Sequence, residues 1–126
     1  MDDMEGIILV VDDDPLYGKL LASLLLRNTP HQVWVVQTGN QALKAAQEIT
    51  PILLLLDYQL PDMTGIKLYD LLHEIAGQES VPAIMLSADL PNQELEELLL
   101  ARKMIGMNKL FDPKHLLQAI DRAIVY

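Results

Sequence analysis

Residues 52–65 read ILLLLDYQLPDMTG, an unbroken apolar run that ends on Asp57 and passes into Tyr-Gln-Leu-Pro-Asp-Met-Thr-Gly. A strand with one wet face alternates apolar and polar residues. A run without alternation predicts a strand covered on both faces, as in a parallel sheet. A carboxylate ending such a strand is either a turn former or a group held for chemistry.

The rest of the chain supplies the context for that strand. Further short apolar runs occur at Ile7–Val11, Val33–Val36 and Ala83–Leu86, with a weaker one at Ile105–Met107. Between them the apolar residues take helical spacing. Leu16, Leu20, Leu21 and Leu24 predict the buried face of a first helix, and Ala42, Leu43, Ala46 and Ile49 that of a second. Ile66, Leu68, Leu71, Leu72 and Ile75 form a third, Leu95, Leu98 and Leu99 a fourth, and Leu116, Leu117, Ile120 and Ile124 a fifth. Asp14-Pro15 and Asp112-Pro113 each pair an N-cap acceptor with proline at the first helical position. Thr38 and Gln41 read as a capping box. Strand–helix alternation repeated in this way predicts an α/β fold: a doubly wound, flavodoxin-like parallel sheet of five strands in the common order 2-1-3-4-5, with five helices. Gly106 and Asn108 make the fifth strand a short edge.

A length of 126 residues suits one domain, spanning 1–126. A net charge of −9 opposes direct binding to nucleic acid or an anionic membrane. No cysteine is present, which excludes disulfides and thiolate zinc sites. The acidic start is the reverse of a basic signal-peptide segment, and no apolar run reaches the length of a membrane span, so the expectation is a soluble cytoplasmic domain.

Ligands of such sheets bind beyond the strand carboxyl ends, where the strand order reverses. Here that point lies between strands 1 and 3, whose exits deliver Asp12, Asp13 and Asp14 on one side and Asp57 on the other. Two such charges about 4 Å apart repel by roughly 4 kcal/mol at an effective dielectric near 20. Mg²⁺ relieves that repulsion and accepts oxygen ligands. One carboxylate beside it could then attack a phosphoryl donor. Asp57 is the candidate nucleophile, whereas Asp14, next to Pro15, is best explained as a helix cap. Ser87 and Lys109, at the ends of strands 4 and 5, offer a hydroxyl and an ammonium to a phosphoryl group.

With ILVVDDDP, LLLLDYQLPDMTG, MLSAD and NKLFDP in place, the chain closely resembles the receiver domain of two-component response regulators over essentially its whole length. The resemblance implies that Asp57 is the phosphate acceptor, and that Asp12, Asp13, Asp57 and the backbone carbonyl of Gln59 hold Mg²⁺. It implies that Ser87 and Lys109 contact the phosphoryl group, and that Gln59 and Asp89 tune dephosphorylation. The implied donor is a histidine kinase or phosphotransfer protein, and the implied role is a switch with slow self-catalysed chemistry rather than a metabolic enzyme.

Three departures fall near the fifth strand. The family's Lys-Pro is Lys109-Leu110, for which we expect a trans bond and a re-aimed Lys109. The family's aromatic three residues before the lysine is Gly106. The usual Gly-Ala pair is replaced within LLLARKMIG. The acceptor side is thus intact, while the face formed by the fourth helix, fifth strand and fifth helix is rewritten. Leu100, Met104, Met107 and Phe111 are candidates there for a homodimer or output-domain surface, weighed against burial in the core. His31, His73 and His115, expected on loop or helix surfaces, are assigned no chemistry.

Two other readings stand beside this one. A receiver-like interaction domain no longer switched by phosphate fits the missing proline and aromatic. A haloacid-dehalogenase-type phosphatase would use Asp12 as nucleophile and Asp14 as acid, but it leaves the Asp57 motif without a role.

Overall fold

The computed structural model describes residues 6–124. Its elements alternate as expected: β1 Ile7–Val11, α1 Pro15–Asn28, β2 Gln32–Val36, α2 Gly39–Glu48, β3 Leu53–Asp57, α3 Gly65–His73, β4 Ala83–Ser87, α4 Gln93–Ala101, β5 Ile105–Asn108 and α5 Pro113–Ala123. Every strand pairing is parallel, in the order β2-β1-β3-β4-β5. Strand limits differ from the sequence expectation by a residue, the ordinary uncertainty of element ends.

Central strands β3 and β4 are buried along their whole length, and their side chains divide between two cores. Leu9, Val11, Leu54, Leu56 and Met85 meet α2, α3 and α4 through Ala42, Ala46, Ile66, Leu68, Leu72, Leu95 and Leu99. Ile8, Val10, Leu53, Leu55, Ile84 and Leu86 face the other way, against Leu21 and Leu25 of α1 and Leu116, Ala119 and Ile120 of α5. The period of two is therefore intact, hidden because both faces are dry. Each such leucine contributes about 1.5–3 kcal/mol of burial, so the sheet is a rigid platform for whatever its strand ends carry.

One helix face differs from expectation. Leu16 and Leu20 are 67% and 60% exposed, and the residues α1 buries are Gly18, Leu21 and Leu25. Leucines surround this helix, so periodicity leaves its orientation open. Gly18 decides it, because a Cβ there would lie 2.9 Å from Val35 Cγ1, so the missing side chain lets the helix settle onto β2. His31 also departs from expectation. It is buried, and its Nδ1 accepts from the Gly6 N–H at 3.2 Å, tying the entry of β2 to that of β1. His73 is half-buried, with its ring nitrogens 2.7 Å from the carbonyls of Tyr69 and Val81, and His115 is exposed.

The segment after Asp57 is held by its own motif residues. Leu60 N–H donates to Met63 O at 3.1 Å and Gly65 N–H to Tyr58 O at 2.6 Å, closing the loop. Gly65 cannot carry a Cβ, which would meet the Asp57 carbonyl at 2.5 Å. Thr64 caps α3 by accepting from Lys67 N–H. Asp62 reaches across to cap α2, accepting from Gly39 N–H and Asn40 N–H, each at 2.9 Å. These backbone hydrogen bonds, that of Asn40 first, hold the Asp62 carboxyl below its ordinary pKa.

Candidate functional site

Register brings the carboxylates together. Val11 pairs with Leu56, so the next residues, Asp12 and Asp57, leave adjacent strands side by side at the point where the order reverses. Asp12 is 1% exposed and Asp57 6%, while Asp13 stands in solvent at the rim. One oxygen from each of the three lies within 4.8 Å of the others. Asp12 is fixed by accepting the Asp14 N–H on Oδ1 at 2.9 Å, and Asp57 Oδ1 accepts the Gln59 N–H at 3.3 Å.

Lys109 supplies the positive charge. Its Nζ lies 3.2 Å from Asp57 Oδ2, as a hydrogen bond, and 2.8 Å from Asp12 Oδ2, as an ion pair. The contact with Asp12 lacks hydrogen-bond alignment, leaving that buried oxygen without an aligned donor. Burial raises the Asp57 pKa to about 6, and the neighbouring Asp12 adds to the rise despite the opposing pull of Lys109. Burial by itself would lower the Lys109 pKa, but the two carboxylates outweigh it and the net shift is upward. A buried, all-oxygen cluster that one ammonium does not fully satisfy suits a hard divalent cation such as Mg²⁺.

The Lys109–Leu110 bond is trans, since the cis peptide bond among the described residues is Leu90–Pro91. The expected re-aiming of Lys109 does not occur. The β5 ladder runs on through Lys109 N–H to Ser87 O at 3.1 Å, and Asn108 Oδ1 takes the Leu110 N–H at 2.8 Å. Those bonds hold the backbone on course without a proline.

Ser87 is buried at the end of β4, its Oγ accepting the Asp89 N–H at 3.1 Å. Asp13, Asp57, Gln59, Ser87, Asp89 and Lys109 line a crevice of about 420 Å³. Every residue expected at the acceptor site therefore borders one space or, as with Asp12, touches a residue that does. Asp14 is outside, its Oδ1 accepting from Leu16 N–H and Tyr17 N–H as the α1 cap. The cap role expected for Asp14 beside Pro15 is the one it has.

The rewritten face is less uniform than expected. Met104 is buried in the core beneath α2, α3 and α4, and Met107 and Phe111 are half-buried against the opposite core, with α1 and α5. Leu100, 77% exposed, is the one member of the proposed set that stands free, while Leu110, 92% exposed and beside Leu20 and Leu24 of α1, was not anticipated. At Gly106, a Cβ would clash with Leu99 Cδ1 and lie 2.9 Å from Leu90 Cδ1. The room an aromatic would need is occupied by leucines. Sequence reasoning also missed Tyr17, whose hydroxyl donates to the Lys109 carbonyl, because that contact joins residues 92 apart.

Comparison with known proteins agrees with this geometry. Residues 8–121 match the family model described as the response regulator receiver domain. The chain is 42% identical over 88 residues to the DNA-binding response regulator MtrA of Mycolicibacterium smegmatis, covering 70% of this chain and 37% of that protein. It is 35% identical over 92 residues to the signal transduction histidine-protein kinase BarA of Escherichia coli, covering 73% of this chain and 10% of that protein. The match thus spans a minor part of these relatives. Among solved structures, chemotaxis protein CheY4 of Vibrio cholerae superposes with a TM-score of 0.85 at 23% identity, covering 95% of this chain and 99% of that one. The signal receiver domain of an HD domain-containing protein from Pseudomonas fluorescens gives 0.85 at 25% identity, with 94% of each chain covered.

Proposed function

Because this chain belongs to the response regulator receiver family, a family of signalling domains, we propose that Asp57 accepts a phosphoryl group from a histidine kinase or phosphotransfer protein. One juxtaposition supports this above all. The Asp57 carboxylate sits on a rigid strand end with the Lys109 ammonium 3.2 Å away and oxygens of Asp12 and Asp13 within 4.8 Å.

In the transfer, an Asp57 carboxylate oxygen attacks phosphorus, a P–O bond forms, and the P–N bond of the donor phosphohistidine breaks. The leaving imidazole nitrogen keeps the electron pair. Near pH 7 Asp57 is mostly ionised even with its raised pKa of about 6, so it is ready to attack. Lys109 holds the carboxylate in place and contributes positive charge to the incoming oxygens. Ser87 accepts from Asp89 N–H, so its own hydroxyl proton can be donated to a phosphoryl oxygen. Asp12, Asp13, Asp57 and the Gln59 carbonyl would hold Mg²⁺, which when bound offsets the negative charge gathered at the acceptor. Gln59 and Asp89 are both exposed at the crevice mouth, where they can admit or exclude the water that hydrolyses the product.

The domain is a signalling module rather than a metabolic enzyme. No helix among the described residues is long and apolar enough to cross a membrane. We place it as a single receiver domain in the cytoplasm, with Leu100 on α4 contributing to contact with an output domain or second copy. Phosphorylation and switching are separable, and the leucine-filled space at Gly106 favours a second reading in which the domain binds partners without an aromatic switch.

Incubation with acetyl phosphate and Mg²⁺, followed by intact mass, tests the acceptor assignment. The expected result is one added phosphoryl group, lost in Asp57→Asn and on chelation. An adduct that persists in Asp57→Asn would overturn it.

A further inference from the structure

We propose that Tyr17 is a positioning residue for phosphoryl transfer, holding Lys109 between Asp12 and Asp57 with its hydroxyl and its ring together. The proposal rests on the phosphoacceptor reading and adds a residue to it.

The sequence brings Tyr17 there by local rules. Asp14 caps α1 and Pro15 opens it, so Tyr17 falls in the first turn, beside the exit of β1. From that position its hydroxyl donates to the Lys109 carbonyl at 2.7 Å, and the Lys109 Nζ lies 4.7 Å from its ring centroid. One side chain thereby grips both ends of Lys109: the backbone through a hydrogen bond, the ammonium through the electron-rich ring face. Phe111 steadies the ring edge-on, at 6.4 Å and 71°.

This chain has a specific need for that grip. Lys109 follows an edge strand and precedes Leu110 rather than proline, and the Leu110 side chain, 92% exposed, gives no anchorage. The Leu110 N–H donates to Asn108 Oδ1 at 2.8 Å, which steadies the backbone past Lys109 but leaves the long lysine side chain free to turn. The neighbour on the other side is Asn108, whose amide donates to the Ala88 and Leu90 carbonyls and so fixes β5 but not the lysine stem. Tyr17 completes the restraint. Burial first, then the Asp12 and Asp57 charges, raise its pKa well above the ordinary phenol value, so it keeps the proton it donates.

The test compares Tyr17→Phe, which keeps the ring, with Tyr17→Leu, which removes both contacts, each in native and Lys109→Ala backgrounds. Two quantities are read: the phosphorylation rate from acetyl phosphate at saturating Mg²⁺, and the Lys109 ε-methylene proton shift in the metal-free protein. One hydrogen bond corresponds to a rate loss of about fivefold for Tyr17→Phe, and loss of the ring as well to roughly tenfold or more for Tyr17→Leu. Neither substitution should slow Lys109→Ala further. The ε-methylene signal, displaced upfield by the ring in the native protein and in Tyr17→Phe, should return to an ordinary lysine position in Tyr17→Leu. Equal slowing in both backgrounds would reduce Tyr17 to a structural role, and an unmoved signal in Tyr17→Leu would overturn the proposal. Absence of any phosphoryl transfer in the native protein would sink the acceptor reading alone, and the lysine signal would still decide whether Tyr17 holds Lys109.

Discussion

Replacing Asp57 with Asn should stabilise the metal-free protein, although it abolishes the proposed function. Burial, with repulsion from Asp12, raises the Asp57 pKa from 3.8 to about 6. The ionised form is therefore less favourable in the folded chain than in the unfolded one. At roughly 1.4 kcal/mol per pKa unit, the rise corresponds to about 3 kcal/mol at neutral pH. Water in the open crevice screens part of this, and about 1–2 kcal/mol is the expected gain. Asn keeps an oxygen for the Gln59 N–H, and Lys109 keeps Asp12 at 2.8 Å, so little is lost against that gain. In a domain of this size the thermal midpoint should rise by roughly 3–8 °C. The sign follows from proton binding: between about pH 4 and pH 6 the native state holds more of the Asp57 proton than the unfolded state, so wild-type stability falls as pH rises through that window. The difference between the two proteins should thus vanish near pH 4 and reach its full value above pH 6. Added Mg²⁺ should close the gap, since binding at about tenfold over Kd stabilises by roughly 1.4 kcal/mol. Urea and thermal melts of both proteins with EDTA and with Mg²⁺, from pH 4 to pH 8, measure all of this. An Asp57→Asn variant less stable than wild type in EDTA at pH 7.5 would refute the reasoning.

Three further outcomes follow from the packing. Leu25→Ala should cost about 2–5 kcal/mol in equilibrium unfolding, against about 0.5 kcal/mol or less for Leu20→Ala, because Leu25 is fully buried and Leu20 is 60% exposed. Gly106→Tyr, which restores the family aromatic, should destabilise by roughly 1–3 kcal/mol because Leu90 and Leu99 occupy its space; an unchanged melting temperature would show that they yield. Asp62→Ala should speed amide hydrogen exchange at Gly39 and Asn40, the two N–H groups it caps, while leaving the α3 amide of Lys67, capped by Thr64, protected.

The strands were legible in the sequence because a parallel sheet leaves a plain mark, apolar runs too short for helices separated by helical spacing, and their order followed from the common arrangement of such five-stranded folds. The helix starts were legible because caps act within a turn, as at Asp14, Thr38 and Asp112. The acceptor cluster could be assembled from Asp12, Asp13, Asp57, Ser87 and Lys109 because each ends or follows a strand, and topology makes strand ends neighbours.

What escaped the sequence depended on fits between distant surfaces. Leucines surround α1, and the contact of Gly18 with Val35 chose which of them to bury, leaving Leu16 and Leu20 in water. The absent proline pointed to a displaced lysine, yet β5 pairing, Asn108 and Tyr17 kept Lys109 on the carboxylates. Asp62 could not be seen as the cap of α2 from its place in the next loop. The sequence by itself determined the layered sheet and the chemistry at its edge, since both rest on local periodicity and strand termini. The tertiary structure decided how the charges are balanced and which apolar residues remain exposed, since those depend on side chains that meet only when the chain has closed.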